Sequence, residues 1–196
     1  MGKTLEFYFD VGSPAAYLAW TQLPDLCAQR NAQLVYKPML LGGVFKAVGN
    51  TSPATIPAKG RYVDVDYCRF ARRYGVPLTI NPHFPIITLY LMRVITGVQM
   101  RQPERLPALL KSVFEAIWVD ALNLNEPQLT AATLAKAGFE ASDIEALVSD
   151  PAVKDALKVN TEEAVKRGVF GAPTMFVKDE MFFGQDRLDF VRDALG

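Results

Sequence analysis

The stretch Thr4-Leu-Glu-Phe-Tyr-Phe-Asp-Val-Gly-Ser-Pro-Ala-Ala16 decides how this chain folds. Residues 4–10 are short and aromatic-rich, which suits a buried strand. Gly12-Ser13-Pro14 then interrupts it. A serine followed by a proline is a helix-start signal: the Ser13 side chain can cap, and Pro14 sits where its missing N–H costs nothing. Tyr17, Leu18, Trp20, Leu23, Leu26 and Cys27 fall on a 3.6-residue stripe, which predicts a helix running to about Arg30. Gln33-Leu-Val-Tyr-Lys37 reads as a second strand, and the helix between the two can act as a crossover joining parallel neighbours.

Farther along, the character changes. Segments around 60–74, 84–98, 104–122, 127–137, 141–148 and 151–167 show helical spacing and are separated by Gly, Pro or Asn. The clearest stripe is Leu106, Leu109, Leu110, Val113, Phe114, Ile117, Trp118 and Ala121, which reads as core. Strand character returns only at the end. Pro173-Thr-Met-Phe-Val177 and Met181-Phe-Phe183 flank Lys178-Asp-Glu180 and predict a hairpin, and a short helix follows over 187–195. Strands at both ends with helices between them imply an α/β domain whose sheet is assembled from distant segments and interrupted by a large all-helical insertion.

Composition narrows the function classes. The chain has 196 residues, 21 Lys+Arg and 21 Asp+Glu, and 50% hydrophobic residues. That length is enough for a sizeable core without disulfides. Zero formal net charge offers no long-range field for nucleic acid or an anionic membrane surface, so neither partner is expected. The longest apolar run in the middle, Phe84 to Met92, is about half of what would span a bilayer. Lys3, Glu6 and Asp10 break up any signal-peptide core. We expect a cytoplasmic protein with reduced thiols. Cys27 and Cys68 are isolated, so no zinc site and no dithiol redox motif can be drawn, and no metal is expected.

Three places could carry chemistry. Ser13 stands where backbone N–H groups and the helix dipole favour an anion, although an ordinary capping serine would look the same. Pro173, ahead of an apolar strand, marks either a specified turn with a cis peptide or, as counting alone favours, a trans proline opening an edge strand. Gln185-Asp186 opens the last helix, where an acid is by default a cap. It could also hold the ammonium and carboxylate of an amino-acid-like ligand.

The order of these features carries more information than any one of them. Tyr8 to Ala19, Leu41 to Asn50, Gly168-Val-Phe-Gly-Ala-Pro-Thr-Met-Phe176 and Phe183-Gly-Gln-Asp-Arg-Leu188 resemble the 2-hydroxychromene-2-carboxylate isomerases. That family groups with kappa-class glutathione transferases in the DsbA-like thioredoxin fold. The resemblance implies a thioredoxin-like domain from 1–39 and 152–196, with a helical insertion domain over 40–151. It also implies glutathione as cofactor, an aromatic carboxylate as substrate, and a homodimer.

By position, Ser13 matches the catalytic serine that hydrogen-bonds the glutathione sulfur, in the slot where thioredoxins keep C-x-x-C. Ala172 and Pro173 match the segment that pairs with the cysteinyl part. Gln185 and Asp186 match the pair that receives the γ-glutamyl end, Phe183 and Gly184 count among the glutathione-binding residues, Asn50 matches an active-site asparagine, and Lys59 a lysine near the glycyl carboxylate. Lys46, Asn50 and Phe84 are the expected substrate contacts, with Lys46 as the cation for the carboxylate. His83 reads as structural or merely exposed. The chain departs from the pattern at Val11-Gly12 and at Gln185. Three activities fit: the isomerase, a kappa-like transferase, and a non-catalytic binding module of the same fold. A helix start plus one hydroxyl can depress a thiol pKa by one to a few units from about 8.5.

Overall fold

The computed structural model describes residues 2–196. It begins with strand β1 (Lys3–Phe9), in which Leu5, Phe7 and Phe9 point to one face and Tyr8 to the other. Both faces are apolar because both are covered. Helix α1 (Pro14–Gln29) crosses over to β2 (Ala32–Pro38), which pairs with β1 in parallel from Lys3↔Ala32 to Phe9↔Pro38. The last two strands, β3 (Thr174–Val177) and β4 (Glu180–Phe183), form an antiparallel hairpin. β3 also pairs antiparallel with β1, giving the order β2-β1-β3-β4. β3 is therefore an inner strand, not the edge strand that counting favoured. Pro173 lies just ahead of it, where the missing N–H removes no ladder bond. The Ala172–Pro173 peptide is cis.

Between β2 and β3 the chain is helical: α2 (Leu41–Val48), α3 (Pro57–Tyr74), α4 (Leu89–Arg101), α5 (Leu106–Trp118), α6 (Pro127–Lys136), α7 (Ala141–Ser149) and α8 (Pro151–Lys166). α9 (Leu188–Leu195) closes the chain. Gly49 and Gly75 end α2 and α3 in the left-handed region, at φ 72° and 67°, where a side chain would be strained. Two boundaries differ from the sequence reading. Residues 84–88 are not helical, and α4 begins at Leu89. A second cis bond lies at Phe84–Pro85, and the Asn125 side chain holds the loop, accepting the Ile87 N–H at 2.8 Å and donating to the Pro85 carbonyl at 3.2 Å. α5 stops at Trp118, and Ala121 takes φ 53°. α2 has no counterpart in the apolar-periodicity reading, because Leu41-Gly-Gly-Val presents too short a stripe.

One continuous core joins the sheet to the helical stretch. Leu5, Phe7, Met175 and Val177 pack in it with Leu91, Val94, Leu110 and Phe114. Phe114 of α5 lies 6.2 Å from Phe9 and 5.1 Å from Trp20, ring centre to ring centre. A smaller core on the opposite face gathers Tyr8, Met39, Val44, Ala164, Val169 and Phe176 under α2 and α8. Where β1 leads into α1, the sheet edge, α2, α3 and the 80–88 loop leave a cavity open.

Candidate active site

The cavity has a volume of about 790 Å³ and is lined by the β1–α1 turn, α2 and the loop after it, α3, the 80–89 segment, Trp118, and the residues on either side of the final hairpin. Ser13 is buried at its floor, with 5% of its surface exposed. As the N-cap of α1, its Oγ accepts the Ala16 N–H at 3.1 Å. The same hydroxyl donates to the Ala172 carbonyl at 3.0 Å. The expected capping role is present, and the second bond ties the helix start to the residue before cis Pro173. No acid in the first turn of α1 offsets the positive end of the helix dipole. Ala15, whose N–H is one of the helix-start donors without an intrahelical acceptor, also lines the cavity.

Across from Ser13 stands the segment Gly171–Ala172 and the turn Gly184-Gln185-Asp186. The Ala172 N–H donates to no acceptor among the described residues. Pro173 does not line the cavity itself; its carbonyl accepts the Gly184 N–H at 3.0 Å and so links the two segments. Gln185 is buried, and its carbonyl accepts the Tyr74 hydroxyl at 2.5 Å, which fixes the turn to the end of α3. Asp186 does not cap α9. A 3-10 turn over Gln185–Arg187 intervenes, Arg187 takes the cap position, and the Asp186 carboxylate pairs with the Arg187 guanidinium. Phe183 borders the same space, its ring tilted by 48° against that of Phe170 at 4.5 Å.

The structure brings Ser13, Asn50, Phe84, Ala172, Phe183, Gly184, Gln185 and Asp186 together around one space. Asn50 lines it with its amide engaged at both ends: Nδ2 donates to the Phe170 carbonyl at 2.8 Å, and Oδ1 accepts the Thr51 N–H at 2.8 Å. Phe84 lies in the wall, its ring 6.3 Å from that of Trp118. Lys46 and Lys59 are not brought in. Both are exposed and neither lines the cavity. On α2 it is Phe45, one residue and about 100° of helical turn away from Lys46, that faces inward. On α3 the inward face is Val63, Asp64, Asp66 and Tyr67. His83 is exposed and outside the lining.

Several residues of the site escaped the sequence reading. Asp10 is buried, and its carboxylate takes three donors: the Gly12 N–H (2.9 Å), the Leu41 N–H (2.9 Å) and the Thr88 hydroxyl (3.0 Å). Burial raises its pKa above the ordinary 3.8, and these hydrogen bonds oppose the rise. A lone acid at the end of an aromatic strand was the available signal. Trp118 belonged to a stripe read as core, and it is buried; it also borders the cavity, and its Nε1 donates to the Val11 carbonyl at 2.8 Å. Tyr67 is pushed up to about 12, first by burial and then by the neighbouring Asp64, Asp66 and Asp186. Cys27 is buried in the core, which pushes its thiol up to about 11 and leaves it a packing group. Among the described residues no three acids, histidines or cysteines cluster as metal ligands.

A mixed sheet entered through a helix start that faces a cis-proline segment defines a thioredoxin-type domain. A model of the DsbA-like thioredoxin domain matches residues 4–196. The chain belongs to that family, and its relatives there include 2-hydroxychromene-2-carboxylate isomerases and kappa-class glutathione transferases. It is 32% identical over 200 residues to the isomerase of that name from Sphingobium xenophagum, covering 100% of this chain and 99% of that one. It is 31% identical to glutathione S-transferase kappa 1 of Rattus norvegicus, covering 99% and 91%. A solved 2-hydroxychromene-2-carboxylate isomerase superposes with a TM-score of 0.86 at 31% identity, covering 98% of this chain and 94% of that one. No described helix is long and apolar enough to cross a membrane.

Proposed function

We propose that the chain is a glutathione-dependent isomerase acting on 2-hydroxychromene-2-carboxylate or a related aromatic ring-fission product. The observation that carries this reading is Ser13: a hydroxyl at a helix start, hydrogen-bonded to Ala172 ahead of cis Pro173, with no protein sulfur beside it. The residues present fit a tripeptide thiol. The cavity lies within the roughly 300–1,000 Å³ of small-molecule sites, and Ala172 offers it an N–H without an acceptor.

Glutathione, when bound, would supply a thiolate nucleophile for reversible addition to an unsaturated carbon, the chemistry by which a double bond isomerises. Ser13 turns its proton from the Ala172 carbonyl to the sulfur, and the start of α1 adds its positive end. The Ala172 backbone would pair with the cysteinyl unit and Gln185 and Asp186 would receive the γ-glutamyl end, while Asn50 ties its loop to the Phe170 carbonyl. Phe84 and Trp118 hold the flat ring of the acceptor and keep water from it. A cytoplasmic homodimer completes the reading, and sedimentation at micromolar protein tests the dimer.

The experiment is a titration with glutathione followed by thiolate absorbance and calorimetry. Binding with a thiolate signal at neutral pH is the expected result. No heat and no signal at millimolar glutathione would overturn the proposal and leave a non-catalytic module. A kappa-like transferase is the second reading, since the curated relatives divide between the two names at nearly equal identity. Glutathione consumed mole for mole with substrate identifies the transferase; turnover with trace glutathione identifies the isomerase.

A further inference from the structure

We infer that Asn125 is a positioning residue for the acceptor: its side-chain amide fixes the loop that presents Ile87, and Ile87 is the apolar contact that selects a flat aromatic group beside Ser13. The inference rests on the reading above and deepens it by naming what holds the acceptor wall in place.

Ile87 is the first observation. It lines the cavity, yet 76% of its surface is exposed, more than for any other large apolar side chain among the described residues. An isoleucine so placed gains little from the core. Its β-branch restricts it to few rotamers, so it loses little freedom when a ligand covers it. Phe84 and Leu89, before and after it in the chain, are also partly exposed and line the same space. The loop runs close to Ser13: a Cβ on Gly12 would stand 2.9 Å from Thr88 Cγ2 and 3.7 Å from the Ile86 carbonyl. The glycine beside Ser13 therefore lets this lip approach the serine.

What holds the lip is the second observation. Residues 79–88 form neither helix nor strand, so other groups must fix their backbone. At one end the loop takes the last carbonyls of α5, which lack donors within the helix. Trp118 accepts the Thr79 N–H at 2.7 Å, and Ile117 accepts Asn81 Nδ2 at 2.9 Å. At the other end the Thr88 hydroxyl donates to Asp10. Between them, among the described residues, only Asn125 bonds residues 85–87. Its Oδ1 accepts the Ile87 N–H at 2.8 Å, and its Nδ2 donates to the Pro85 carbonyl at 3.2 Å. An amide can do both, whereas a carboxylate only accepts. Asn125 is exposed and does not line the cavity, so it acts on the acceptor through the loop. A wall ordered in advance spares the cost of ordering it on binding.

Two glutathione conjugates read this wall without turnover. S-methylglutathione fills the tripeptide site alone, and S-(1-naphthylmethyl)glutathione adds a flat bicyclic ring. Both are titrated calorimetrically into the full chain and its variants. The naphthyl conjugate is expected to bind about tenfold tighter or more. Ile87→Ala and Asn125→Ala should each remove about fivefold of that gain and leave S-methylglutathione unmoved. The double variant should lose little more than either alone, because both changes act on one contact. Asn125→Asp keeps the acceptor for the Ile87 N–H and should fall between; it also carries the test if Asn125→Ala fails to fold. Equal affinity of the two conjugates for the unaltered chain would overturn the inference alone. So would equal weakening of both by either Asn125 variant, or additive losses in the double variant. Failure of both conjugates to bind at millimolar levels would overturn it together with the glutathione reading.

Discussion

At the scale of single residues, two buried polar groups organise the site, and they act differently. Ser13 spends both its lone pair and its proton within the chain. Ser13→Ala is expected to lower turnover by about a hundredfold, the usual effect of deleting one donor to a developing anion, with thiolate absorbance lost in parallel. It should also cost about 1 kcal/mol of stability through the lost cap, read from urea midpoints. Unchanged turnover would remove Ser13 from the chemistry. Asp10 makes no direct claim on substrate; it joins the β1–α1 turn, the start of α2 and Thr88. Because burial raises its pKa, the folded chain keeps this proton to a higher pH than the unfolded chain. Its contribution is therefore fully present below 3.8 and is lost as pH rises through the raised value. Asp10→Asn should flatten that slope in the acid range. It should also destabilise by about 1–3 kcal/mol, because an amide cannot accept from all three donors. A wild-type slope in the variant would contradict the assignment.

At the scale of elements, the β-α-β opening, the helical middle and the β-β-α close were legible, because strand and helix periodicities are local. The misreadings fell where a local pattern met a backbone constraint. Phe84 to Leu91 is apolar enough to pass for helix, but the Pro85 carbonyl and the Ile87 N–H are bonded to the Asn125 side chain and the helix begins only at Leu89. The hairpin between β3 and β4 turns through Lys178 at φ 57°, a position that glycine or asparagine would fill at less cost. Lys178→Gly should raise stability by up to about 1 kcal/mol, because Arg167 bonds the Lys178 carbonyl and not its side chain. Thermal melts would check this, and a lowered midpoint would mean that the side chain packs in a way the backbone does not reveal.

At the scale of the whole molecule, we propose that the thioredoxin-like segments 1–39 and 152–196 and the helical insertion 40–151 unfold as one unit. Phe114 of the insertion packs on Phe9 and Trp20, so neither part keeps its core without the other. A single calorimetric transition is expected, with calorimetric and van't Hoff enthalpies equal; two resolved transitions would separate the domains. Glutathione at a hundred times its Kd should stabilise the fold by about 2.7 kcal/mol and shift that one transition upward by several degrees, at about 2–4 °C per kcal/mol for a chain of this size. A shift confined to part of the melt would place the site within one unit only.

What the sequence determined by itself was the parallel crossover, the serine-proline helix start without a cysteine, and the hairpin and short helix near the end. Each of these is written in neighbouring positions, where cap chemistry and periodicity act over a few residues. Tertiary structure alone decided the exclusion of Lys46 and Lys59 from the cavity wall, the Asp10 clamp, the hold of Asn125 on its loop and the double role of Trp118. Those properties join residues 10, 88, 118 and 125, and which of them share a surface depends on how helices rotate and pack against one sheet.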